Sequence, residues 1–167
     1  MEKNNYCVFD LSTEGLEPLK HRILGITTKT EDEERIFTQR DEKALLSEFW
    51  AYVEAKQFQR LIGFNSDNFD VPMLIVRSIK HKVEIPCIKD KLVDLRKVII
   101  GYTEHRKGTL DDFKDLLEIS FFDSRYRNMH MSLLWETEDI PKLREFLLRD
   151  VKVTWQLYEH VSGAGLI

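Results

Sequence analysis

The chain has 167 residues, of which 43% are hydrophobic and 32% charged, and its net charge is −4. This length predicts a single domain, residues 1–167, with one buried core, and this composition excludes a disordered protein. The negative net charge excludes a protein that is strongly basic over its whole surface. A nucleic-acid ligand would therefore have to be held by local basic patches or by metal ions.

Cysteine usage and hydropathy bear on the compartment of the protein. Cys7 and Cys87 form no CxxC motif and have apolar neighbours, which predicts two buried thiols in a reducing compartment. The first residues, MEKNN, lead directly into a strand-length apolar run without the core of a signal peptide. No apolar stretch is long enough to cross a membrane. We therefore expect a soluble cytoplasmic protein with no membrane partner.

The first predicted strand is the short apolar run from Tyr6 to Phe9, which is followed by Asp10. Its aromatic and β-branched residues favour a central strand, and the run is too short for a helix. A carboxylate at the end of such a strand lies outside the carboxyl edge of the sheet, where open α/β sheets bind ligands. Asp10 is therefore the first candidate metal ligand, although a strand-ending turn residue would give the same pattern.

The next elements predict a sheet that begins antiparallel. Two further strands, Arg22 to Thr28 and Arg35 to Thr38, flank an acidic hairpin tip at residues 31–34. Helical periodicity over Asp41 to Lys56 precedes a fourth strand, Arg60 to Phe64. This strand should lie parallel to the first because a helix precedes it.

The second half of the chain is predominantly helical. The predicted elements are a helix from the loop Asn65–Leu74 to about His81, a strand-to-helix connection at Leu92–Ile100 that contains Asp94, a helix at Thr109–Glu118, and a last helix from after Thr137 to about Val161. Thr109 and Asp112 form a capping-box pattern. Phe121 to Trp135 shows no clean period and is predicted to be a loop.

Two further aspartates stand out from their surroundings. Asp150 lies on an apolar face of the last helix, where a carboxylate is costly to bury unless a cation receives it. Arg149 is expected to point elsewhere, so that cation is a distant arginine or a metal ion. Asp70 precedes Val-Pro at a helix start and by itself fits a helix N-cap. As a set, however, Asp10, Asp70 and Asp150 can converge at one edge of an α/β sheet.

Such a cluster of carboxylates predicts Mg²⁺ or Mn²⁺ as the cofactor. Carboxylate oxygens are hard ligands that suit these ions, and no His/Cys cluster that would favour Zn²⁺ accompanies the three aspartates.

Three segments of the chain resemble the motifs of DEDD 3′–5′ exonucleases, particularly the exonuclease domain of B-family DNA polymerases and its stand-alone relatives. They are VFDLSTEGLEP, LIGFNSDNFDVPML and FLLRDVKVTWQLYEHV, of which the second is the most specific. The resemblance covers nearly the whole chain. It implies an α/β, ribonuclease H-like fold with a five-stranded mixed sheet and helices on both faces.

The resemblance also implies a function, namely two-metal hydrolysis of the phosphodiester at a single-stranded DNA or RNA 3′ end. Asp10 would bridge both ions, Asp150 would hold the ion that activates water, and Asp70 would hold the other. Leu16 would act as a wedge beside the terminal base, while Asn65 and Phe69 would border the strand end. A larger assembly, and hence a protein partner, is also compatible with this family.

Two positions depart from the family pattern. Ser12 stands where the first motif has a metal-binding Glu, and Phe146 stands where the third motif has a Tyr, so its ring remains near the substrate but the hydroxyl is lost. Ser12 itself, Glu14 and Glu145 are the candidates for a substitute ligand or base. Because of these departures, a catalytically weak or inactive module that binds nucleic acid or a protein partner is the alternative to the enzyme. An α/β domain whose aspartates are only caps and ion pairs is the third hypothesis.

Overall fold

The computed structural model describes residues 5–101, 107–119 and 140–167. The strands are β1 (Tyr6–Thr13), β2 (Ile23–Lys29), β3 (Glu34–Phe37), β4 (Arg60–Gly63) and β5 (Leu92–Asp94). The α-helices in this part of the chain are α1 (Glu42–Lys56), α2 (Asp70–His81), α3 (Leu95–Ile100), α4 (Leu110–Leu116) and α5 (Ile140–Gly163). The loop predicted for Phe121 to Trp135 lies outside the described residues.

The five strands form one mixed sheet in the order β3-β2-β1-β4-β5. β1 pairs antiparallel with β2, and β2 pairs antiparallel with β3, across the predicted hairpin. β1 and β4 are parallel, as are β4 and β5. The predicted five-stranded mixed sheet and the parallel placement of the fourth strand are therefore confirmed.

Helices cover both faces of the sheet, and the alternation of side chains along β1 determines which residues meet which helices. Cys7, Phe9 and Leu11 belong to a core that also contains the buried residues of α1 and α2. Val8 belongs to the other core, with Leu148 and further residues of α5. Because successive residues of a strand point to opposite faces, Asp10 lies on the same face as Val8, towards α5.

A buried ion pair connects α1 and α2 within the first core. The Glu42 carboxylate accepts hydrogen bonds from Arg77 Nε at 2.9 Å and Arg77 Nη2 at 2.5 Å. It also accepts from the amide of Ile23 at 2.7 Å, and His81 Nε2 lies 2.7 Å from its second oxygen. Arg77 Nη1 donates a hydrogen bond to the carbonyl of Pro18 at 3.4 Å. The Glu42–Arg77 pair thus connects α1 and α2 to β2 and to the turn between β1 and β2.

Two sequence-based expectations are wrong at the level of the fold. β1 does not end at Asp10 but continues to Thr13, because β2 pairs with it up to that residue. Cys7 is buried as expected, whereas Cys87 is exposed in the connection that follows α2. Within the described ranges, no helix has the length and apolar character needed to span a membrane.

Candidate metal and nucleic-acid site

The position of Asp10 follows from the unequal lengths of the strands. β4 pairs with β1 only between Tyr6 and Val8, whereas β2 pairs with it as far as Thr13. Asp10 therefore lies two residues beyond the last parallel pair, where one flank of β1 is no longer covered by a strand. This is the carboxyl edge of the parallel part of the sheet, where α/β proteins bind ligands.

A cavity of about 750 Å³ opens at this edge. Asp10 from β1, Asp70 from α2 and Asp150 from α5 all line it. The loop between β4 and α2 contributes Phe64, Asn65, Asn68 and Phe69; the start of α3 and the segment into α4 contribute Arg96, Lys107, Gly108, Thr109, Leu110 and Asp112. The structure thus brings together the three aspartates that the sequence analysis selected, together with Asn65 and Phe69.

Asp10 is in an environment that disfavours its ionised form. Burial raises the pKa of this carboxyl well above its usual value, and the nearby carboxylates of Asp150 and Asp70 raise it further. The amide of Leu11 and the charge of Arg149 lower the pKa, but not enough to cancel the effect of burial. A bound cation would relieve this excess of negative charge.

Asp70 does not have the N-cap role that its local sequence predicts. It is the first helical residue of α2, Phe69 is the N-cap, and no side chain caps the helix. Instead, Asp70 Oδ1 accepts a hydrogen bond from the amide of Leu11 at 3.2 Å, which ties α2 to β1 beside Asp10. Burial raises the pKa of Asp70 to about 7, with the charges of Asp94 and Asp150 adding to the rise.

Asp150 has the local partner that the sequence analysis did not expect. Arg149 Nη1 lies 3.4 Å from Asp150 Oδ1, and the same guanidinium pairs with Asp111 of α4. The Asp150 side chain is 44% exposed, so it faces the cavity rather than the apolar core. Burial of its inner part raises the pKa of Asp150, Arg149 lowers it, and Asp111 raises it.

The donor set fits a hard divalent cation in its chemistry, because three carboxylates from three elements line one cavity. The fit in geometry is incomplete. No group of three or more His, Cys, Asp or Glu side chains in the described part of the chain is arranged so that it could hold a metal ion.

Three predicted site residues from β1 and the turn after it are not among the described residues that line this cavity. Ser12 is opposite Gly25 of β2, and a register shift follows it. Glu14 is in the turn after β1, where its carboxylate lies 2.7 Å from Arg22 Nε. Leu16 is 77% exposed in the same turn.

The two predicted residues on α5 are also placed away from the cavity. Glu145 is exposed on this helix. Phe146 packs against the apolar cluster of Leu24, Leu143 and Leu147, so its ring fills the space between α5 and β2.

Asp94 is an organising residue that the sequence analysis placed in a strand-to-helix connection without giving it a role. Its side chain is the N-cap of α3, with Oδ1 accepting from the amides of Arg96 and Lys97. It also accepts from the amide of Asn65 at 2.9 Å and from that of Asp67 at 3.1 Å. Asn65 has a φ of 56°, so these bonds hold a left-handed residue at the cavity. The sequence pattern that could have identified this role is an aspartate directly before a predicted helix.

Replacing Asp94 by alanine should lower the free energy of unfolding by about 2 kcal/mol, because it removes a helix cap and leaves partly buried amides without this acceptor. Asp94→Asn keeps one acceptor oxygen and should have roughly half this effect. Asp112→Ala removes the exposed partner of Thr109 in the capping box of α4 and should have a smaller effect than Asp94→Ala. Urea unfolding measures all three variants. An Asp94→Ala midpoint equal to that of the wild type would contradict the role of this residue.

Comparison with known proteins gives a consistent family. Residues 20–117 match a family described as a predicted 3′–5′ exonuclease related to the exonuclease domain of PolB. An uncharacterized protein of Methanocaldococcus jannaschii is 35% identical over 171 residues, which cover 96% of this chain and 97% of that protein. A DNA polymerase of Archaeoglobus fulgidus is 32% identical over 87 residues, which cover 50% of this chain but only 11% of the polymerase.

A solved structure supports the fold independently. The family B DNA polymerase of the hyperthermophilic archaeon Pyrobaculum calidifontis matches with a TM-score of 0.74 at 19% identity. The match covers 93% of this chain and 24% of the polymerase. It confirms the predicted ribonuclease H-like fold. This chain spans only a small part of either polymerase.

Proposed function

This chain belongs to the family of predicted 3′–5′ exonucleases related to the exonuclease domain of PolB, and from that premise we propose that it is a metal-dependent 3′–5′ exonuclease with a weakened site. Its substrate would be the 3′ end of a single-stranded DNA or RNA. The observation that carries this proposal is that Asp10, Asp70 and Asp150 come from three separate elements and line one cavity. Clustering carboxylates raises their pKa values and has no benefit for a purely structural domain.

The proposed roles follow from the chemistry of the cavity. Asp10, Asp70 and Asp150 would hold the divalent ions, which supply charge neutralisation for the phosphodiester and lower the pKa of a bound water. Phe69 borders the cavity beside Asp70 and offers an aromatic face to a base. The backbone amide of Asn65 donates to Asp94 and its side-chain oxygen accepts from Asn68 Nδ2 at 2.8 Å, so Asn65 is held at the cavity, where it would border the strand end.

A catalytically inactive binding module is the second candidate, and two observations favour it. Ser12 supplies no charge where the family has a carboxylate ligand. Phe146 lacks the hydroxyl of the family's tyrosine and packs against Leu24. Such a module would bind strand ends, or a protein partner, on the same fold without turnover.

Degradation of a 5′-labelled single strand in Mn²⁺ tests the proposal. We expect a ladder of products shortened from the 3′ end, and we expect Asp10→Asn and Asp150→Asn to abolish it. Asp90→Asn, which removes an exposed carboxylate in the turn before β5, is the matched control and should leave the ladder unchanged. A wild-type protein that binds the strand but gives no more product than Asp10→Asn is a binding module.

Metal binding can be tested without turnover. Mn²⁺ should raise the unfolding temperature of the wild type, because an ion that binds only the folded state stabilises it, by about 1.4 kcal/mol at ten times its dissociation constant. Asp10→Asn should show a much smaller shift. Differential scanning calorimetry over a Mn²⁺ titration measures both proteins. Equal shifts in the two proteins would place the ion somewhere other than at Asp10.

A further inference from the structure

Arg149 connects the cavity to α4. It directly precedes Asp150 on α5, and its Nη1 lies 3.4 Å from Asp150 Oδ1. Its Nη2 donates a hydrogen bond to Asp111 Oδ1 on α4, and Asp111 is not among the described residues that line the cavity. The Arg149 side chain is only 18% exposed, so the guanidinium lies largely out of water. One cation is therefore shared between a cavity carboxylate and a carboxylate outside the cavity.

The two carboxylates hold this guanidinium unequally. A close hydrogen bond between a guanidinium and a carboxylate has an N–O distance of about 2.7–2.9 Å. Arg149 is hydrogen-bonded to Asp111, whereas its distance of 3.4 Å to Asp150 is that of an ion pair without a close hydrogen bond. Asp111 therefore holds the guanidinium to one side of Asp150. A guanidinium released from Asp111 would be free to approach Asp150 more closely.

The charge of Arg149 acts on two of the candidate ligands. Burial raises the pKa of Asp10 and of Asp150, and the charge of Arg149 lowers both pKa values. Asp111 raises the pKa of Asp150 and so opposes the effect of Arg149. A positive charge that stabilises an ionised carboxylate also repels a second cation at the same oxygen, and more strongly at shorter distance. A divalent ion at Asp150 would therefore meet more repulsion the closer the guanidinium lies to that carboxylate.

We propose that Arg149 and Asp111 are positioning residues that set the affinity of the cavity for a divalent ion. Arg149 competes with the ion for Asp150, and Asp111 reduces this competition by holding the guanidinium at α4. This role of Arg149 rests on the proposed function, because it takes Asp150 as a metal ligand. It assigns part of the weakness of the site to Arg149 rather than to Ser12 alone. It also couples the site to α4, since the position of this helix determines where Asp111 holds the guanidinium.

Binding of Mn²⁺ in the absence of nucleic acid tests this competition. The full chain is titrated with Mn²⁺ in KCl at about 0.15 M, where exposed distant charges are screened, and the free ion is measured by electron paramagnetic resonance. Arg149→Gln removes the competing charge and should raise the Mn²⁺ affinity about ten-fold. Asp111→Asn leaves the guanidinium to Asp150 and should lower the affinity about three-fold. A loss of folding would lower the affinity in both variants, so the opposite signs are specific to the competition.

Control variants isolate the guanidinium. Arg144→Gln removes the same charge from an exposed residue of α5, about 9 Å from Asp150 along the helix, and its affinity should stay within about two-fold of the wild type. Asp111→Asn/Arg149→Gln should bind Mn²⁺ like Arg149→Gln alone, because Asp111 acts through the guanidinium. Asp10→Asn shows which part of the Mn²⁺ binding belongs to the cavity. Circular dichroism shows that each variant is folded.

The outcomes separate this competition from the proposed function. Equal Mn²⁺ affinities in the wild type and Arg149→Gln, with binding that Asp10→Asn abolishes, overturn the competition and leave the exonuclease proposal standing. An equal loss from Asp111→Asn with and without Arg149 overturns the role of Asp111. Absence of Asp10-dependent binding in both the wild type and Arg149→Gln overturns both proposals. Tighter binding by Arg149→Gln in a protein that never degrades a strand supports the competition and overturns only the enzyme.

Discussion

Arg77→Met is expected to lower the free energy of unfolding by about 3–5 kcal/mol, because it removes the guanidinium that pairs with the buried carboxylate of Glu42 and leaves that charge to the amide of Ile23 and to His81. The side chains of Arg77 and Glu42 are 2% and 5% exposed, so water cannot replace the lost contacts. The same change removes the donor to the carbonyl of Pro18 and so loosens the turn between β1 and β2. Urea unfolding at neutral pH measures the effect.

Two controls isolate the ion pair. The double variant Glu42→Gln/Arg77→Met removes both charges but keeps an acceptor for the amide of Ile23, so it should be more stable than Arg77→Met alone. Lys20→Met breaks an ion pair with Glu17 whose side chains are 69% and 57% exposed, and it should cost less than about 0.5 kcal/mol. Similar losses for Arg77→Met and Lys20→Met would show that the buried pair contributes no more than an exposed one.

The pH dependence gives a second measurement of the same pair. Burial alone would raise the pKa of Glu42, but hydrogen bonds from Arg77, the amide of Ile23 and His81 outweigh it and lower the pKa below the usual 4.5. A lowered folded pKa contributes stability above the unfolded value, which is lost as the pH falls through the folded value. The stability that ionised Glu42 gives the wild type should thus be full above about pH 5, and the advantage over Arg77→Met, in which burial favours the protonated carboxyl, should shrink as the pH falls.

Ser12→Glu is expected to raise kcat/KM on a single strand in Mn²⁺ by about 100-fold, which corresponds to about 2.7 kcal/mol of transition-state stabilisation. Ser12 lies two residues after Asp10 on β1, so both side chains leave the same face of the strand about 7 Å apart. A glutamate is long enough to reach back towards Asp10 and adds the charge that the serine lacks. The half-saturating Mn²⁺ concentration should fall as well.

Matched variants show whether the charge is responsible. Ser12→Gln has the same length without the charge and should give no gain. Asp10→Asn/Ser12→Glu should be inactive, because the new carboxylate cannot replace the residue from which the site is built. The cross-strand neighbour Gly25 has no side chain, but Leu147 covers it, so the unfolding midpoint of each variant is measured too. If Ser12→Glu and Ser12→Gln degrade the strand equally, position 12 is not a ligand position.

The order of the elements and the choice of aspartates could be predicted from the sequence. Strand-length apolar runs and helical periodicity depend on neighbouring residues, which is why the start of β1 and the helices α1 and α2 appear where they were expected. Asp10, Asp70 and Asp150 could be selected because a carboxylate beside an apolar run is unusual in itself. The placement of Asp10 and Asp70 at one cavity follows from the parallel strands β1 and β4, whose carboxyl ends share an edge, whereas Asp150 lines the cavity because α5 packs against the sheet. Their roles as metal ligands stay predictions.

Only the tertiary structure decided which partner each polar side chain has. Asp70 contacts Leu11 rather than capping its own helix, and Asp94 contacts Asn65 across 29 positions of sequence. Glu42 and Arg77 are 35 positions apart. Such contacts depend on strand register and on how helices pack against the sheet, and a register change of one residue moves every side chain of a strand to the other face. Local sequence therefore determines where a chain turns and which faces of its helices and strands are apolar. The hydrogen-bond partner of a polar side chain depends instead on which distant segment packs beside it in the folded protein.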